Sequence, residues 1–144
     1  MSRFPFSEAE WSRVGDASLA AVNATLADDP VVRESCFEDL RDALSGLREQ
    51  HGEHPVLLET EADFSDSPEE QIALYEKAKR LALAHGLPTV SICLSLARLL
   101  CELGRPDRAK EELISCQAEL AAGADPAEAR EWSELLVCSN PPPR

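Results

Sequence analysis

The stretch that decides the fold runs from Val90 to Ala122 and reads VSICLSLARLLCELGRPDRAKEELISCQAELAA. Apolar residues recur in it at the three- and four-residue spacings of an amphipathic helix, on both sides of one break. The break contains Gly104, which tolerates the left-handed conformation beyond a helix end, and Pro106, which suits the first turn of the next helix. The stretch therefore predicts a helical hairpin whose second helix continues to Ala122.

This hairpin resembles a tetratricopeptide repeat, a pair of helices with fixed small and large positions. The matching residues are Leu96, Ala97, Leu100, Gly104, Ala109, Leu113 and Cys116. Cysteine replaces the family's alanine at Cys116, and Cys93 stands where the family favours tryptophan. The resemblance implies that small side chains let the two helices approach closely, while large ones fill the space between them.

A second, poorer copy of the pattern precedes the first by about 38 residues. It would consist of a short helix from Pro55 to Asp63 and a longer helix that follows the capping box at Ser67. Gly86 and Pro88 end that longer helix. The sequence thus predicts a degenerate repeat over residues 55–86, before the better repeat over residues 89–122.

Helix signals also flank the two repeats. Ser7 and Glu10 form a capping box that opens an N-terminal helical hairpin over residues 7–51. We expect the first helix of that hairpin to bury a face made of Trp11, Val14, Ser18, Val22 and Thr25, widened by Leu19 and Leu26. A capping helix over residues 126–138 would cover the other end, and the proline-rich residues 141–144 predict a mobile, extended tail.

The expected fold is a single all-α domain over residues 1–140, with about seven helices. Apolar residues make up 44% of the chain and aromatic residues only 5%, so the core must consist mainly of leucine, alanine and valine. The family resemblance implies that the antiparallel hairpins stack as a short right-handed solenoid.

The strongly acidic charge restricts the possible partners. Twenty-seven acidic residues against fourteen basic ones give a formal charge of −13, which would repel a nucleic-acid backbone. No apolar stretch has the roughly 20 residues that cross a bilayer, and the start of the chain lacks a signal peptide's apolar run. We therefore expect a cytoplasmic protein that binds neither nucleic acid nor membrane.

The resemblance also implies a site, because tetratricopeptide arrays hold peptides on the concave surface formed by the first helix of each hairpin. The positions that carry over are Val56, Thr60, Asp63, Phe64, Ser91, Leu94, Arg98, Cys101 and Glu102. Arg98 is the one cation among them, which makes the groove a poor trap for a ligand's terminal carboxylate. A protein or peptide is the implied ligand.

An acidic edge lies between Arg48 and Lys77, where no lysine or arginine interrupts the sequence. Its carboxylates are Glu49, Glu53, Glu59, Glu61, Asp63, Asp66, Glu69 and Glu70. Such an edge can steer a basic peptide or a basic protein surface towards the chain. The alternative interpretation is a solvated surface, in which several of these side chains serve only as local helix caps.

Three kinds of chemistry have weaker signals. His51 and His54 are separated by a glycine-containing break, which does not place two imidazoles on one helix face, so we expect no metal. No nucleophile motif or phosphate-binding loop occurs, so we expect no catalysis and no cofactor. The five cysteines, an odd number widely spaced, are expected to be reduced packing residues.

The leading functional hypothesis is a non-enzymatic adaptor that binds a protein or peptide on the concave face. Its rival is a self-associating structural module, a homodimer formed through Phe4, Phe6 and Trp11 at one end or Trp132 at the other. A small enzyme of unknown reaction is the third hypothesis, for which converging carboxylates or histidines in a deep pocket would be the sign.

Overall fold

The computed structural model describes residues 1–123 and 125–140. In this part of the chain eight helices form and no strand does, which confirms the all-α class. The helices are α1 (Glu8–Leu26), α2 (Pro30–His51), α3 (Pro55–Asp63), α4 (Pro68–Ala84), α5 (Val90–Glu102), α6 (Pro106–Ser115), α7 (Gln117–Ala121) and α8 (Pro126–Ser139). The predicted tail over residues 141–144 lies outside the described residues.

Local capping chemistry explains where the helices begin. The Ser7 hydroxyl accepts the Glu10 amide at 3.1 Å, and the Glu10 carboxylate accepts the Ser7 amide at 2.8 Å, as the capping box predicts. Asp29 and Ser67 cap α2 and α4 in the same way through their side-chain oxygens. A proline occupies the first turn of five helices, at Pro30, Pro55, Pro68, Pro106 and Pro126.

The predicted continuous helix to Ala122 is wrong, because it is interrupted at Cys116 between α6 and α7. In an unbroken helix the Leu113 carbonyl would accept the amide four residues later. Here that carbonyl accepts the Trp132 indole N–H at 2.8 Å and the Cys116 thiol at 3.5 Å. The Ser115 hydroxyl donates to the Glu112 carbonyl at 2.7 Å, which further competes with the helical pattern.

The predicted buried face of α1 needs a second correction. Val14, Ala21 and Ala24 are buried, whereas Leu19, Val22 and Leu26 are 62%, 44% and 80% exposed. The small alanine side chains let α1 lie close against α2, and the bulky aliphatic side chains consequently lie on the opposite side. Hydrophobic periodicity predicted a helix with an apolar face, but it assigned the buried side to the larger aliphatic residues and not to the alanines.

Two hydrophobic cores share helix α3. The first lies between α1, α2 and α3 and contains Phe6, Val14, Leu40, Ala43, Leu44, Leu47 and Leu57. The second is built mainly by α3, α4, α5 and α6 and includes Leu58, Ala62, Tyr75, Leu96, Leu100, Leu113 and Leu135. The predicted small positions Ala97, Ala109 and Cys116 are fully buried in the second core. Adjacent residues of one short helix, Leu57 and Leu58, thus enter different cores.

Polar bridges show how successive hairpins are placed. The bridges Arg33–Asp66, Glu59–Ser91, Lys79–Glu112, Glu76–Arg108 and Glu69–Arg105 join residues 32 to 36 positions apart. The order of the α4 and α6 partners along the chain shows that these two helices run in the same direction. Arg98 of α5 likewise pairs with Glu131 of α8. Helix α6 therefore repeats the direction of α4, which is compatible with a helical repeat.

Candidate functional site

Polar side chains from helices α3, α5 and α8 meet on one side of the molecule, which we call the α3–α5–α8 face. It contains Glu59, Asp63, Ser91, Arg98, Glu128 and Glu131. The Ser91 hydroxyl donates to Glu59 Oε2 at 3.3 Å, and Arg98 forms an ion pair with Glu131. The face therefore combines four carboxylates with one guanidinium.

Helical spacing explains why these residues share a side. Glu59 and Asp63 are four residues apart on α3, and Glu128 and Glu131 are three apart on α8. Residues three or four positions apart lie one above the other on a helix. The Glu59–Ser91 hydrogen bond and the packing of α8 on α5 then bring the separate stripes together.

Tyr75 of α4 contacts this face from the side of the core. Its side chain is buried, and its hydroxyl donates a hydrogen bond to the Asp63 carboxylate. Burial, followed by the bond to Asp63, raises the pKa of Tyr75, so the hydroxyl stays protonated and remains a donor. The Asp63 carboxylate is thereby held in a fixed orientation.

The carboxyl group of Asp63 is itself perturbed. Its partial removal from water raises its pKa, while the Tyr75 hydrogen bond and the Arg98 charge act in the opposite direction. The same guanidinium is engaged by Glu131. Arg98 therefore does not fully neutralise the negative charge on α3.

Glu59 is the most strongly perturbed carboxylate of the face. Burial, with smaller contributions from the charges of Asp63 and Glu128, raises its pKa to about 7, and the Ser91 hydrogen bond only partly offsets this. Among the described residues, no lysine or arginine forms an ion pair with Glu59. A cation placed between Glu59 and Asp63 would favour the ionised form of both.

Half of the eight carboxylates of the predicted acidic edge form ion pairs within the chain. The pairs are Arg48 with Glu53 and Glu61, Arg33 with Asp66, and Arg105 with Glu69. Arginines from other helices thus neutralise carboxylates that look uninterrupted in sequence. The carboxylates of this edge that have no ion pair among the described residues are Glu49, Glu59, Asp63 and Glu70, and of these Glu59 and Asp63 belong to the α3–α5–α8 face.

Four of the predicted groove residues lie exposed, and three of them belong to the α3–α5–α8 face: Asp63, Ser91 and Arg98. Glu102 is also exposed, at the end of α5. Val56 and Thr60 are half-buried, and the Thr60 hydroxyl donates to the Val56 carbonyl at 2.7 Å. Val56, Glu59 and Ser91 line a cavity of about 340 Å³ at the beginning of α3 and α5, together with Arg3 and Phe4.

Three predicted groove residues are placed elsewhere. Leu94 is only 2% exposed and belongs to the second core, because α4, α6 and α8 all pack against α5. Cys101 is half-buried against the same core. Phe64 packs edge to face on Phe37 with ring centroids 6.1 Å apart, beside α2. Leu94 is therefore corrected from a groove residue to a core residue.

Phe64 lines a different opening, a cleft of about 390 Å³ between α2 and the α3–α4 turn. Phe37, Leu40 and Leu44 also line it, with Arg41, Arg48 and Glu70 among its charged residues. The cleft has an apolar lining with both signs of charge around it. It is separate from the concentration of carboxylates at Glu59 and Asp63.

Glu59, Tyr75, Glu128 and Glu131 were not among the predicted groove residues. The spacing of Glu59 and Asp63 contained a usable signal, since residues four apart on a helix share a side. Tyr75 had no such signal, because its hydroxyl reaches Asp63 from a neighbouring helix. The α8 carboxylates join the face only because α8 packs on α5.

The two histidines have separate local roles. His51 Nε2 lies 2.7 Å from Glu10 Oε2, which joins the end of α2 to the beginning of α1. His54 Nδ1 accepts the Val56 amide at 3.1 Å, and its Nε2 donates to the Ser2 carbonyl at 2.9 Å. Over residues 1–123 and 125–140, no group of three or more His, Cys, Asp or Glu side chains is arranged to hold a metal ion.

None of the described helices combines the length and the apolar character needed to cross a membrane. Comparison of the chain with protein-family models, with curated proteins and with solved structures finds no match in any of the three.

Proposed function

We propose that this chain is a non-enzymatic adaptor of the tetratricopeptide type, which binds a basic segment of another protein on the α3–α5–α8 face. Three observations support the repeat assignment: the two-helix units, the polar bridges 32 to 36 residues apart, and the full burial of the small positions Ala97, Ala109 and Cys116. The five free thiols support a reducing compartment such as the cytoplasm.

Glu59 carries the proposed ligand chemistry. Its carboxylate is half-buried beside Asp63 and Glu128, and its pKa is raised to about 7 because ionisation there is unfavourable. A lysine or arginine side chain from a partner would supply the missing positive charge and donate hydrogen bonds to Glu59 and Asp63. The interaction would thus relieve a repulsion that exists in the unbound protein.

The surroundings favour a peptide segment over a small cation. The face extends along three helices, and the cavity of about 340 Å³ at the beginning of α3 and α5 offers the apolar side chains of Val56 and Leu87 next to Glu59. A basic side chain with an apolar neighbour therefore fits both features. Electrostatic attraction would speed the encounter, and the cavity would select the residue beside the cation.

The test is a binding titration by fluorescence polarisation. Short labelled peptides of matched apolar content would carry lysine and arginine, glutamine, or glutamate at the same positions. We expect the basic peptides to bind in preference to the others. Glu59→Gln combined with Asp63→Asn should weaken the binding of basic peptides by about tenfold or more, because two charge-assisted hydrogen bonds are lost.

The matched control is Glu38→Gln combined with Asp39→Asn, which changes the net charge equally at two exposed positions of α2. It should leave binding nearly unchanged. Equal weakening by the two double variants would mean non-specific attraction to an acidic protein and would overturn the proposed site. Indifference of the wild-type protein to peptide charge would overturn the ligand class.

Exposed apolar residues on α1 favour one second candidate, self-association. Leu19, Val22 and Leu26 form a stripe at three- and four-residue spacing on the outer side of α1. The aromatic residues that the sequence suggested for self-association instead make contacts within the chain. Phe6 packs on Phe4 and Trp11, and Trp132 donates to the Leu113 carbonyl.

Light scattering over a range of concentrations tests the second candidate. Self-association through α1 predicts a dimer that becomes a monomer in Leu19→Glu combined with Leu26→Glu. A wild-type protein that stays monomeric throughout would remove this candidate. A dimer that persists in the double variant would assign the interface to another surface.

A further inference from the structure

Two thiols meet inside the hairpin of α5 and α6. Cys93 lies on α5, Cys116 lies at the break between α6 and α7, and both are fully buried. Cys93 Sγ lies 3.7 Å from the hydroxyl of Ser115, the residue that precedes Cys116, so the two thiols are neighbours in the core. These are also the two positions at which the sequence departs from the tetratricopeptide pattern, where tryptophan and alanine are expected. The two departures thus coincide in space as a thiol pair.

A chain of polar groups connects this thiol pair to the surface. The Ser115 hydroxyl lies 3.7 Å from Cys93 Sγ and accepts a hydrogen bond from Lys79 Nζ at 2.8 Å. Lys79 also donates to Glu112 Oε2 at 2.7 Å. Ser115 is exposed, and Lys79 and Glu112 are partly exposed.

The surrounding charges distinguish the two sulfurs. The charged groups that face the pair are Lys79 from α4, Glu112 from α6 and Glu119 from α7. The neighbouring Cys116 thiol, the Lys79 charge and the Ser115 hydroxyl lower the pKa of Cys93, whereas burial and the Glu112 charge oppose this shift. The pKa of Cys116 is raised, first by the neighbouring Cys93 thiol.

We propose that Cys93 and Cys116 are a peroxide-sensitive pair that forms a reversible disulfide within the hairpin. Cys93 is the thiol that reacts first, and Cys116 is the thiol that resolves the intermediate. The inference does not depend on the proposed binding function, because neither sulfur belongs to the α3–α5–α8 face. It identifies the core residues Cys93 and Cys116 as a site of oxidation.

The chemistry balances with hydrogen peroxide as the oxidant. The Cys93 thiolate attacks one peroxide oxygen, the O–O bond breaks, and the departing hydroxide takes up the proton that Cys93 released. The Cys116 sulfur then attacks the sulfur of the Cys93 sulfenic acid, the S–O bond breaks, and water leaves with the Cys116 proton. Two thiols and one peroxide give one disulfide and two waters, and a thiol reductant reverses the reaction.

The oxidant can reach the buried sulfurs by local opening at the α6–α7 junction. Helical hydrogen bonding is already interrupted at Cys116, and the following helix α7 has only five residues. The disulfide would then tie α5 to this junction. Because a cross-link restricts the unfolded chain, the oxidised protein should melt at a higher temperature than the reduced protein.

The experiment uses the full chain with Cys36→Ser, Cys101→Ser and Cys138→Ser, which leaves only the pair. After exposure to hydrogen peroxide and removal of the excess by catalase, remaining thiols are alkylated and the peptides are mapped by mass spectrometry. We expect one intramolecular link between Cys93 and Cys116, the loss of both free thiols, and full recovery with dithiothreitol. The melting temperature should rise in parallel with the linked fraction.

Substitutions at Lys79 test the assignment of Cys93 as the reactive thiol. Lys79→Gln should slow formation of the link by about threefold or more, since a nearby cation favours the thiolate. Lys77→Gln, at an exposed position of the same helix, is the matched control, and Lys79→Arg should retain the rate. The retained charge in Lys79→Arg separates a loss of activation from a loss of folding.

Two results would overturn the proposal. The first is that both thiols remain free after peroxide treatment in a folded protein, which would make the pair an inert part of the core. The second is oxidation of Cys93 to sulfinic acid, or linkage between two molecules, without the internal disulfide. Equal rates for Lys79→Gln and Lys77→Gln would overturn the assigned role of the lysine.

Discussion

Glu59 shows how burial beside other carboxylates perturbs a single side chain. Its pKa of about 7 in the folded protein lies above the ordinary value of 4.5, so the folded state binds this proton more tightly than the unfolded state does. The contribution of Glu59 to stability is therefore greatest below pH about 4.5 and is lost as the pH rises through about 7.

Glu59→Gln removes this titration, and the variant should be more stable than the wild type at and above neutral pH. The difference in free energy of unfolding should reach about 2 kcal/mol at high pH, reduced from the full linkage value because Glu59 keeps contact with water. It should vanish below pH about 4.5, where the wild-type side chain is protonated in both states.

Urea unfolding at several pH values measures this difference, with Glu38→Gln on the exposed side of α2 as the control. The control variant should follow the wild type at every pH. A Glu59→Gln variant that is less stable than the wild type above neutral pH would contradict the assigned electrostatic environment.

Leu94 illustrates what helical periodicity reveals and what it does not. Its spacing from Ser91 and Arg98 correctly indicates a shared region of the helix surface. Periodicity does not reveal how wide the buried side is, however, and α5 is covered by α4, α6 and α8. Asp63, Ser91 and Arg98, which were predicted to face a groove, are exposed, and their role in binding stays a prediction.

Leu94→Ala should therefore affect stability. Loss of a buried leucine side chain should lower the free energy of unfolding by about 2–5 kcal/mol. Leu83→Ala provides the control, since Leu83 is 62% exposed and its replacement should change stability by less than about 0.5 kcal/mol. Thermal and urea unfolding measure both. Equal small effects would indicate that Leu94 faces solvent and would restore its predicted groove position.

Among the elements, the break between α6 and α7 was the one that local sequence could not predict. Capping boxes and prolines give helix starts from neighbouring residues alone, so those boundaries follow from sequence. A residue distant in sequence contributes to the break, because the indole N–H of Trp132 in α8 donates a hydrogen bond to the Leu113 carbonyl. Nothing between Pro106 and Ala122 indicates which later residue will reach that carbonyl.

Trp132→Phe keeps an aromatic ring on α8 but removes the indole N–H. We expect a loss of about 1 kcal/mol in the free energy of unfolding, with additional loss from the smaller ring. The Leu113 carbonyl then becomes available to the Gln117 amide, so hydrogen exchange at that amide should slow relative to the global opening rate. Faster exchange at Gln117 would show that Trp132 supports the junction and does not compete with its helical bonding.

Close packing of α5 against its neighbours depends on Ala97, which is fully buried. Ala97→Leu should destabilise the protein by about 1–3 kcal/mol, because extra methyl groups in a filled core force the helices apart. Ala73→Leu, at an exposed position of α4, is the matched control and should be nearly neutral. If Ala97→Leu is equally neutral in urea unfolding, the small position is not required for helix approach.

At the scale of the whole molecule, the sequence indicated hairpins but not how they are coupled. The two cores are separate groups of side chains, and α3 contributes Leu57 to one and Leu58 to the other. Successive residues on a helix point about 100° apart, so a single short helix can face both cores. This division was invisible in sequence, where Leu57 and Leu58 are merely two adjacent leucines.

Substitution of these two leucines should reveal the division directly. Leu57→Ala should increase hydrogen exchange mainly in α1 and α2, whereas Leu58→Ala should increase it mainly in α4, α5 and α6. Both side chains are nearly inaccessible to solvent, so each substitution should cost about 2–5 kcal/mol and the comparison is matched in chemistry and burial. Exchange measured by mass spectrometry under native conditions resolves the two regions. The same increase throughout the chain in both variants would show instead that the two cores open as one cooperative unit, with α3 transmitting the loss from either side.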